Sequence, residues 1–499
     1  MDMLLLAPLR VEAMALAASP SRPRVRRTGL GQGRTAVAVD NLATSGQMTA
    51  RNAVAMAGLG GALAADLRVG DLVVAERVVS PEGKELARLP SAGLLAAELA
   101  ACGLRARTGT VASTDQLVRG AERHRLAAVA DVVDMESAAL VRRATGPLAI
   151  VRAVSDTSEQ ELVSLSALRN LGRALASLRA CAPALASWAA STGPREVLLA
   201  EPRSFCAGVR RAIETVQRAL ARYGAPVYVR RQIVHNARVV AQLEAAGAVF
   251  VEELGDVPDG AVVVFSAHGV GTSVQAEAAE RAMKTIDATC PLVTKVHHEA
   301  RRFTSSGRQV ILIGHRGHDE VEGTLGSVPG ITLVGGPGEA TALGLDTGRP
   351  TAVVTQTTLT PDEVGDIMTE LEGLFSDIAH PNSSDICYAS QNRQEAVRAM
   401  APQCDLVLVV GSANSSNSNR LVEVARRSGV PAHLVDGPSD LRLSWLHEAR
   451  RVGLTAGASA PEELVQDVVA CLAGLGPLNV ATMATGSENV TFSLPVEVR

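Results

Sequence analysis

Short apolar runs alternate with Ala- and Leu-rich segments of helical periodicity over residues 1 to about 190. This alternation is typical of an α/β domain, in which helices cover a sheet. A closing helix is predicted over 160–190, followed by a linker, STGPRE, at 191–196. Six segments are predicted as strands or strand ends: LLLAPL (4–9), VAMAGLGGAL (54–63), GDLVVAERVV (70–79), RTGTVAS (107–113), LAAVADVVDME (126–136) and LAIVRAVSD (148–156).

From residue 197 to 499 a different arrangement recurs, in which an apolar strand ends in polar residues and a helix follows. The first example is EVLLAEPRSFCAG at 196–208, which runs into an amphipathic helix stopped by Gly224. Four or five such units predict small α/β subdomains around a common centre, because ligands bind at the carboxyl ends of strands in open α/β sheets. The polar residues at these ends include His235, His268, His315, His318, Thr357 and Ser459.

Three cysteines stand at similar junctions between a strand-like and a helix-like segment. Cys290 lies 84 positions after Cys206 and 97 before Cys387. Three thiolates from three loops suit a metal centre with one open position, and an iron–sulfur cluster is the most specific interpretation. The simpler alternative is that each is a small buried apolar residue. Spacing alone favours that alternative, since none of the three belongs to a CxxC pair.

Composition narrows the classes of protein to which the chain could belong. Of its 499 residues 47% are hydrophobic, and 48 basic residues against 52 acidic ones give a net charge of −4. This balance gives no electrostatic reason to expect a nucleic acid or an anionic membrane as partner. Neither a secretory signal nor a run long enough to cross a bilayer is recognisable. Seven cysteines then favour a reducing compartment, so a cytoplasmic location is expected.

From Glu196 to the C-terminus the chain resembles the 4-hydroxy-3-methylbut-2-enyl diphosphate reductases of the LytB family. The motifs that carry this resemblance are PRSFCAGVRRAI, FSAHGV, DATCPLVTKVH, GHRGHDEVEGT, TQTTL, DICYASQNRQEAV, GSANSSNSNR and TAGASAP. The resemblance implies three small α/β subdomains around a central [4Fe–4S] cluster. It also implies reduction of the diphosphate substrate to isopentenyl and dimethylallyl diphosphate, the last step of the methylerythritol phosphate route, with electrons from a donor such as ferredoxin or flavodoxin.

The same resemblance implies a role for each matching residue. Cys206, Cys290 and Cys387 would hold the cluster, and Glu320 with Thr357 would deliver protons to the substrate oxygen. The diphosphate would be bound by His235, His268, His318, Ser415, Ser416, Asn417 and Ser459. These groups are neutral or weakly basic, which predicts a closed pocket that uses many directed hydrogen bonds.

Two alternatives stay open for this part of the chain. His318 and Glu320, two residues apart, could instead coordinate zinc, which ranks second to the cluster. The whole protein could also be an iron–sulfur redox sensor or binding protein with a degenerate N-terminal domain. A redox sensor would give no function to Glu320 or to the Ser/Asn loop at 412–419.

Residues 1–190 are similar to the nucleoside phosphorylase and methylthioadenosine nucleosidase superfamily in VVDMESAAL (132–140) and VRAVSDTSE (151–159). By position, the resemblance implies that Met135 and Glu136 meet the ribose of a purine nucleoside and that Asp156 protonates or hydrogen-bonds the base. The simpler alternative is a helix cap at DMES and a turn at SDTS.

Two glycine loops, TGLG at 28–31 and AGLGGAL at 57–63, are predicted upstream. Each could bring backbone N–H groups to phosphate or could be only a tight turn. Glu12 is the only acid near the start, where nucleosidases carry several. A phosphorolytic domain with Arg27 or Arg34 at the phosphate is therefore favoured over a hydrolytic one.

Overall fold

The computed structural model describes residues 3–158 and 167–499. Its contacts divide the chain into two units. The first comprises Met1–Val197, Gly437–Val452 and Gln466–Ala481, and the second comprises Leu198–Asp436, Gly453–Val465 and Thr482–Arg499. The predicted domain limits, 1–190 and 197–499, stay a prediction. No helix in the described residues is both long and apolar enough to cross a membrane.

An eight-stranded sheet forms the centre of the first unit. Its elements are β1 Leu4–Ala7, α1 Arg10–Ala17, β2 Val25–Arg27, α2 Gln32–Thr44, β3 Val54–Ala62, β4 Leu72–Val79, β5 Glu85–Arg88, α3 Ala92–Ala101, β6 Ala106–Ser113, α4 Gly120–Leu126, β7 Val132–Asp134, α5 Ser137–Val141, β8 Leu148–Asp156 and α6 Ala167–Ala190. The strands follow the order β2-β1-β3-β7-β6-β4-β5, and β8 pairs with both β3 and β4.

The predicted strands of this unit recur closely in the structure. β3 and β8 reproduce two of the six segments almost residue for residue, and every residue of β8 is buried. Such a strand reads as a continuous apolar run because both of its faces are covered. The segment LAAVADVVDME is strand only at β7, since Leu126 closes α4. Of the predicted helix over 160–190, residues 160–166 lie outside the described part, and α6 accounts for the remainder.

The prediction of a glycine loop at 57–63 is wrong, because most of these residues lie in β3. The glycines there allow close packing instead. A Cβ added to Gly58 would lie 2.5 Å from Nη1 of Arg152, and one added to Gly60 would lie 2.6 Å from Cγ1 of Val132. The absence of side chains at these positions leaves room for a buried arginine against the strand.

The rest of the chain builds three sheets. Its elements are β9 Arg195–Glu201, α7 Ala207–Tyr223, β10 Val227–Arg230, α8 Ala237–Ala245, β11 Ala248–Val251, β12 Val262–Phe265, α9 Thr272–Glu280, β13 Lys284–Asp287, α10 Pro291–Ser305, β14 Gln309–Ile313, α11 Asp319–Leu325, β15 Thr332–Val334, α12 Glu339–Ala342, β16 Thr351–Thr355, α13 Pro361–Leu374, β17 Ile378–Ala379, α14 Tyr388–Met400, β18 Leu406–Val410, α15 Ser416–Arg427, β19 Ala432–Val435, α16 Leu443–Leu446, β20 Arg451–Ala456, α17 Glu462–Ala473 and β21 Leu478–Ala484. The first two residues of β9 belong to the predicted linker.

These sheets have the strand orders β11-β10-β12-β13, β15-β14-β16-β17 and β19-β18-β20-β9-β21. The pairings within the first two sheets are parallel, for example Val229 with Val264 and Val264 with Ile286. Apolar side chains of the strands pack under the flanking helices in separate clusters for each sheet. The mixed α/β fold with three small subdomains is therefore confirmed.

The packing against β3 predicts opposite effects for two glycine substitutions in the first unit. Gly60→Ala forces Val132 and Arg152 to shift and should lower the free energy of unfolding by about 1–3 kcal/mol. Gly93→Ala in α3 is the control, since its Cβ would meet no atom within 4 Å, and it should stabilise by up to about 1 kcal/mol. Calorimetry of the full chain measures both, and equal stabilities would contradict the account of β3.

Candidate functional site

A cavity of about 100 Å³ in the second unit is lined by residues that follow strands of all three sheets. Parallel strands bring their carboxyl ends to one edge of a sheet, so loops from three sheets can meet at one point. All twelve site residues predicted in this part of the chain line this cavity: Cys206, His235, His268, Cys290, His318, Glu320, Thr357, Cys387, Ser415, Ser416, Asn417 and Ser459.

Each of the three cavity cysteines is the N-cap residue of a helix. Cys206 precedes α7, Cys290 precedes α10 and Cys387 precedes α14. The sulfur of Cys206 accepts the backbone N–H of Val209, and that of Cys387 accepts the N–H of Ser390. Three helix N-termini therefore direct their positive ends at one place, which favours negative charge on the sulfur atoms.

The space between the sulfur atoms depends on a glycine in α7. A Cβ added to Gly208 would lie 2.6 Å from Sγ of Cys290 and 3.8 Å from Sγ of Cys206. Burial raises the pKa of Cys290 to about 12 and that of Cys387 to about 11, and the nearby Cys206 adds to both shifts. Without a cation between them the thiols would keep their protons, as expected of ligands that lose protons only when metal binds.

Three imidazoles form a second group in the cavity. The rings of His235 and His268 are stacked, with centroids 4.1 Å apart and planes at 18°. His318 meets both edge-on, at centroid distances of 5.4 and 5.8 Å. Its Nδ1 accepts the backbone N–H of Glu320 at 3.1 Å, so a neutral His318 carries its proton on Nε2. That nitrogen can donate to an anion.

Glu320 is buried and faces Thr357. Its carboxyl group accepts the backbone N–H of Thr357 at 2.6 Å and lies 3.0 Å from the Thr357 hydroxyl. Burial raises the pKa of Glu320 to about 7. Since Thr357 occupies the carboxyl group and His318 Nδ1 is bonded to the Glu320 backbone, the structure gives no support to a shared zinc site on these two residues.

The Ser/Asn loop supplies several hydroxyl and amide groups to the cavity. Ser415 caps α15, and its hydroxyl lies 3.2 Å from that of Ser459. Asn417 accepts the backbone N–H of Ala458 through Oδ1 and donates to Ser390 through Nδ2. These bonds fix the loop at a helix N-terminus, which is a favourable place for a phosphate group.

The site is supported by four further residues, to which sequence reasoning assigned no role. The hydroxyl of Ser390 lies 3.2 Å from the sulfur of Cys387. Its place as the third residue of α14 is the sequence feature that could have indicated this contact. Thr358 and Gln356 donate to the hydroxyl of Ser416. Asp319 lies beside two of the histidines, and no sequence pattern indicated it.

The first unit has its own cavity of about 350 Å³, lined by the three residues predicted there: Met135, Glu136 and Asp156. Glu136 accepts the backbone N–H of Gly31 at 2.9 Å, so the loop at 28–31 does reach the cavity edge. Burial raises the pKa of Glu136 to about 7, against the opposing charge of Arg152.

Asp156 is held by a buried cation that the sequence did not reveal. Its Oδ2 lies 2.6 Å from Nη1 of Arg123, and its Oδ1 accepts the hydroxyl of Ser155 at 2.7 Å. These contacts fix the orientation of the Asp156 carboxyl group at the cavity, which suits hydrogen bonding to the base, the second of its two predicted roles.

The predicted phosphate contacts are not found at this cavity. Arg27 and Arg34 are exposed, and neither is among the described residues that line it. The N–H of Gly31 is bonded to Glu136, and Glu12 is buried at the cavity wall, where its carboxyl group accepts the N–H groups of Leu9 and Leu59. A preference for phosphate over water therefore has no basis in these contacts.

Comparison with known proteins extends these observations. Residues 197–473 match the model of the LytB protein family, and residues 21–186 match that of the phosphorylase superfamily. The chain is 56% identical over 303 residues to 4-hydroxy-3-methylbut-2-enyl diphosphate reductase of Burkholderia pseudomallei. The aligned residues make up 60% of this chain and 97% of that protein.

Reductase 1 of the same name from Mycobacterium tuberculosis is 54% identical over 314 residues, 62% of this chain and 95% of that protein. A solved structure of the E-1-hydroxy-2-methyl-but-2-enyl-4-diphosphate reductase from Plasmodium falciparum matches with a TM-score of 0.59 and 36% identity. It covers 61% of this chain and 97% of that one. The family model alone covers more than half of the residues, and the chain belongs to the LytB protein family.

Proposed function

We propose that the second unit reduces 4-hydroxy-3-methylbut-2-enyl diphosphate to isopentenyl and dimethylallyl diphosphate. The observation that carries this proposal is the meeting of Cys206, Cys290 and Cys387 in one cavity with the buried pair of Glu320 and Thr357. Membership of the LytB family and relatives that bear the reductase name support it. A redox sensor would need the thiols but not a buried acid beside them.

The three thiols fit a [4Fe–4S] cluster with one iron left open. Gly208 keeps the space between two sulfur atoms free, and three helix N-termini stabilise the anionic ligands. When bound, the cluster would relay the two electrons to the substrate and act as a Lewis acid toward the departing oxygen. Those electrons come from a donor such as ferredoxin or flavodoxin.

The diphosphate is assigned to the histidine group and the Ser/Asn loop. His318 offers Nε2–H, while the hydroxyls of Ser415, Ser416 and Ser459 and the N-terminal N–H groups of α15 offer further donors. Asn417, fixed by Ala458, orients this set. Many weak donors in a closed pocket can replace the arginines of an open phosphate site.

The proton that leaves with the allylic oxygen is assigned to Glu320. In its acid form the carboxyl group can donate to the Thr357 hydroxyl 3.0 Å away, and Thr357 can pass its own proton to the substrate oxygen. Breaking the C–O bond then yields water, and the electron pair from the donor, together with a second proton taken from solvent, converts the allyl fragment to the product alkene.

For the first unit we propose cleavage of a purine nucleoside at its glycosidic bond. The specific observation is the cavity in which Glu136, able to accept two ribose hydroxyls, stands with the fixed hydrogen-bond acceptor Asp156. Met135 lines the same cavity. The match to the phosphorylase superfamily supports this second activity.

Cluster binding predicts a selective effect of cysteine substitution. Cys206→Ser, Cys290→Ser and Cys387→Ser should each lose most of the iron, sulfide and brown absorption of anaerobically purified protein. Cys404→Ser, a half-buried cysteine away from the cavity, and the exposed Cys102→Ser should keep them.

Two glycine substitutions in helices test the space between the sulfur atoms without changing a cysteine ligand. Gly208→Ala places a methyl group against the sulfur of Cys290 and should reduce bound iron severalfold, whereas Gly365→Ala in α13, with no atom within 4 Å of its Cβ, should not. Equal iron content in both variants, or zinc without sulfide in the parent protein, would refute the assignment.

Removal of the transferable proton predicts a loss of turnover with the cluster intact. Glu320→Gln should lower kcat by roughly a hundredfold or more. Because the acid form of Glu320 exists below its pKa of about 7, kcat of the parent protein should fall as the pH rises through that value. Steady-state assays with a chemical reductant measure both, and unchanged turnover in Glu320→Gln would exclude this residue as the donor.

The nucleoside proposal predicts free base from purine nucleosides incubated with the full chain. The full chain is needed because later segments group with the first unit. Asp156→Asn and Glu136→Gln should each lower base release by about a hundredfold or more, while Glu320→Gln leaves it unchanged. Parallel reactions with and without phosphate identify the nucleophile. No base from any purine nucleoside would contradict the proposal.

A further inference from the structure

The carboxylate of Asp319 lies beside the histidines assigned to an anion and lines the cavity that adjoins theirs. Asp319 begins α11, and its Oδ2 lies 3.9 Å from Nε2 of His235 and 3.9 Å from Nδ1 of His268. The three ligand-type atoms lie within 4.8 Å of one another. A negative side chain beside a diphosphate would repel it unless positive charge arises between them.

The imidazoles between Asp319 and the cavity can supply that charge. Nε2 of His235 is buried and has no hydrogen-bond partner among the described residues. Its Nδ1 is near Asn414 and Gln232, at 3.3 and 3.5 Å. A shift of about 1 Å would bring Asp319 within hydrogen-bond distance of either histidine.

Carboxylates outnumber the fixed cations around this group. Arg231 pairs with Asp319, with Glu322 at 2.6 Å and with Glu253 at 3.4 Å. Further titratable neighbours are His318 and His315, from the loop before α11, and four charged residues of the adjoining cavity: Glu252, Arg316, Arg420 and Glu423. Arg316 and Arg420 pair with glutamates, and no arginine or lysine is among the described residues that line the cavity assigned to the diphosphate.

Burial favours the neutral form of the three imidazoles. It lowers the pKa of His235 despite Asp319, lowers that of His268 well below its ordinary value, and lowers that of His318 to about 4. A diphosphate carries more than one negative charge at neutral pH, and an anion within a few ångströms favours the charged form of an imidazole. The charge state of the group therefore depends on its ligand.

We propose that Asp319 is a positioning residue that holds one of the two stacked imidazoles, His235 or His268, as a protonated donor when a diphosphate enters, so that binding takes up a proton. This inference rests on the diphosphate site proposed above. The proton comes from solvent, and Asp319 Oδ2 accepts the N–H that faces it while the rest of the imidazolium charge faces the ligand. Affinity then falls as the pH rises, because the proton becomes harder to obtain.

Isothermal titration of the cluster-loaded full chain with isopentenyl diphosphate tests the proposal. Without an electron donor no turnover occurs, and buffers of different ionisation enthalpy report the protons bound. The parent protein should take up about one proton near pH 8, with affinity falling roughly tenfold per pH unit above it. Asp319→Asn, which keeps the shape of the side chain, should lose most of the uptake and flatten the pH profile.

Glu322→Gln is the matched control, since Glu322 also pairs with Arg231, whereas Asp319 is the carboxylate paired with the imidazoles among the described residues. It should keep the proton uptake and the pH profile, and both variants should keep the cluster absorption. Equal uptake in Asp319→Asn and the parent protein, or loss of uptake in Glu322→Gln as well, would overturn the role of Asp319. Failure of the parent protein to bind isopentenyl diphosphate would instead overturn the proposed reductase function.

Discussion

The candidate site of the second unit depends on three cysteines at the N-cap positions of helices. Cys206, Cys290 and Cys387 each end a loop after a strand and begin a helix, so the same residue sets the helix start and the position of the sulfur atom. The helix dipoles then favour thiolate at a point where burial opposes it. Under the proposed function, a cationic cluster between the sulfur atoms resolves these opposing effects, and Gly208 leaves the room for it.

Burial also decides the protonation of the other titratable groups of the site. Glu320 is buried among neutral partners and can therefore keep a proton near neutral pH, while the histidines lose theirs for the same reason. Among the described residues, the lining of this cavity contains no arginine or lysine. This arrangement suits a reaction that must bind an anion and deliver a proton without admitting water.

Sequence reasoning predicted the parts of the molecule that depend on local pattern. β3 and β8 follow from apolar runs, and the placement of the site residues follows from strand ends. It failed where tertiary packing decides, as in the glycine segment taken for a loop. Ion pairs such as Arg123 with Asp156 join residues 33 positions apart, and no periodicity marks them. The sequence did not indicate Asp319, because its importance depends on its distances to His235 and His268 in two other loops.

The most direct measurement is Mössbauer spectroscopy of the full chain loaded anaerobically with ⁵⁷Fe, before and after addition of isopentenyl diphosphate. Three cysteine ligands and one open position predict about four iron and four sulfide per chain, with a single iron whose spectrum changes on binding. Four iron sites that respond alike, or zinc in place of iron and sulfide, would contradict the account.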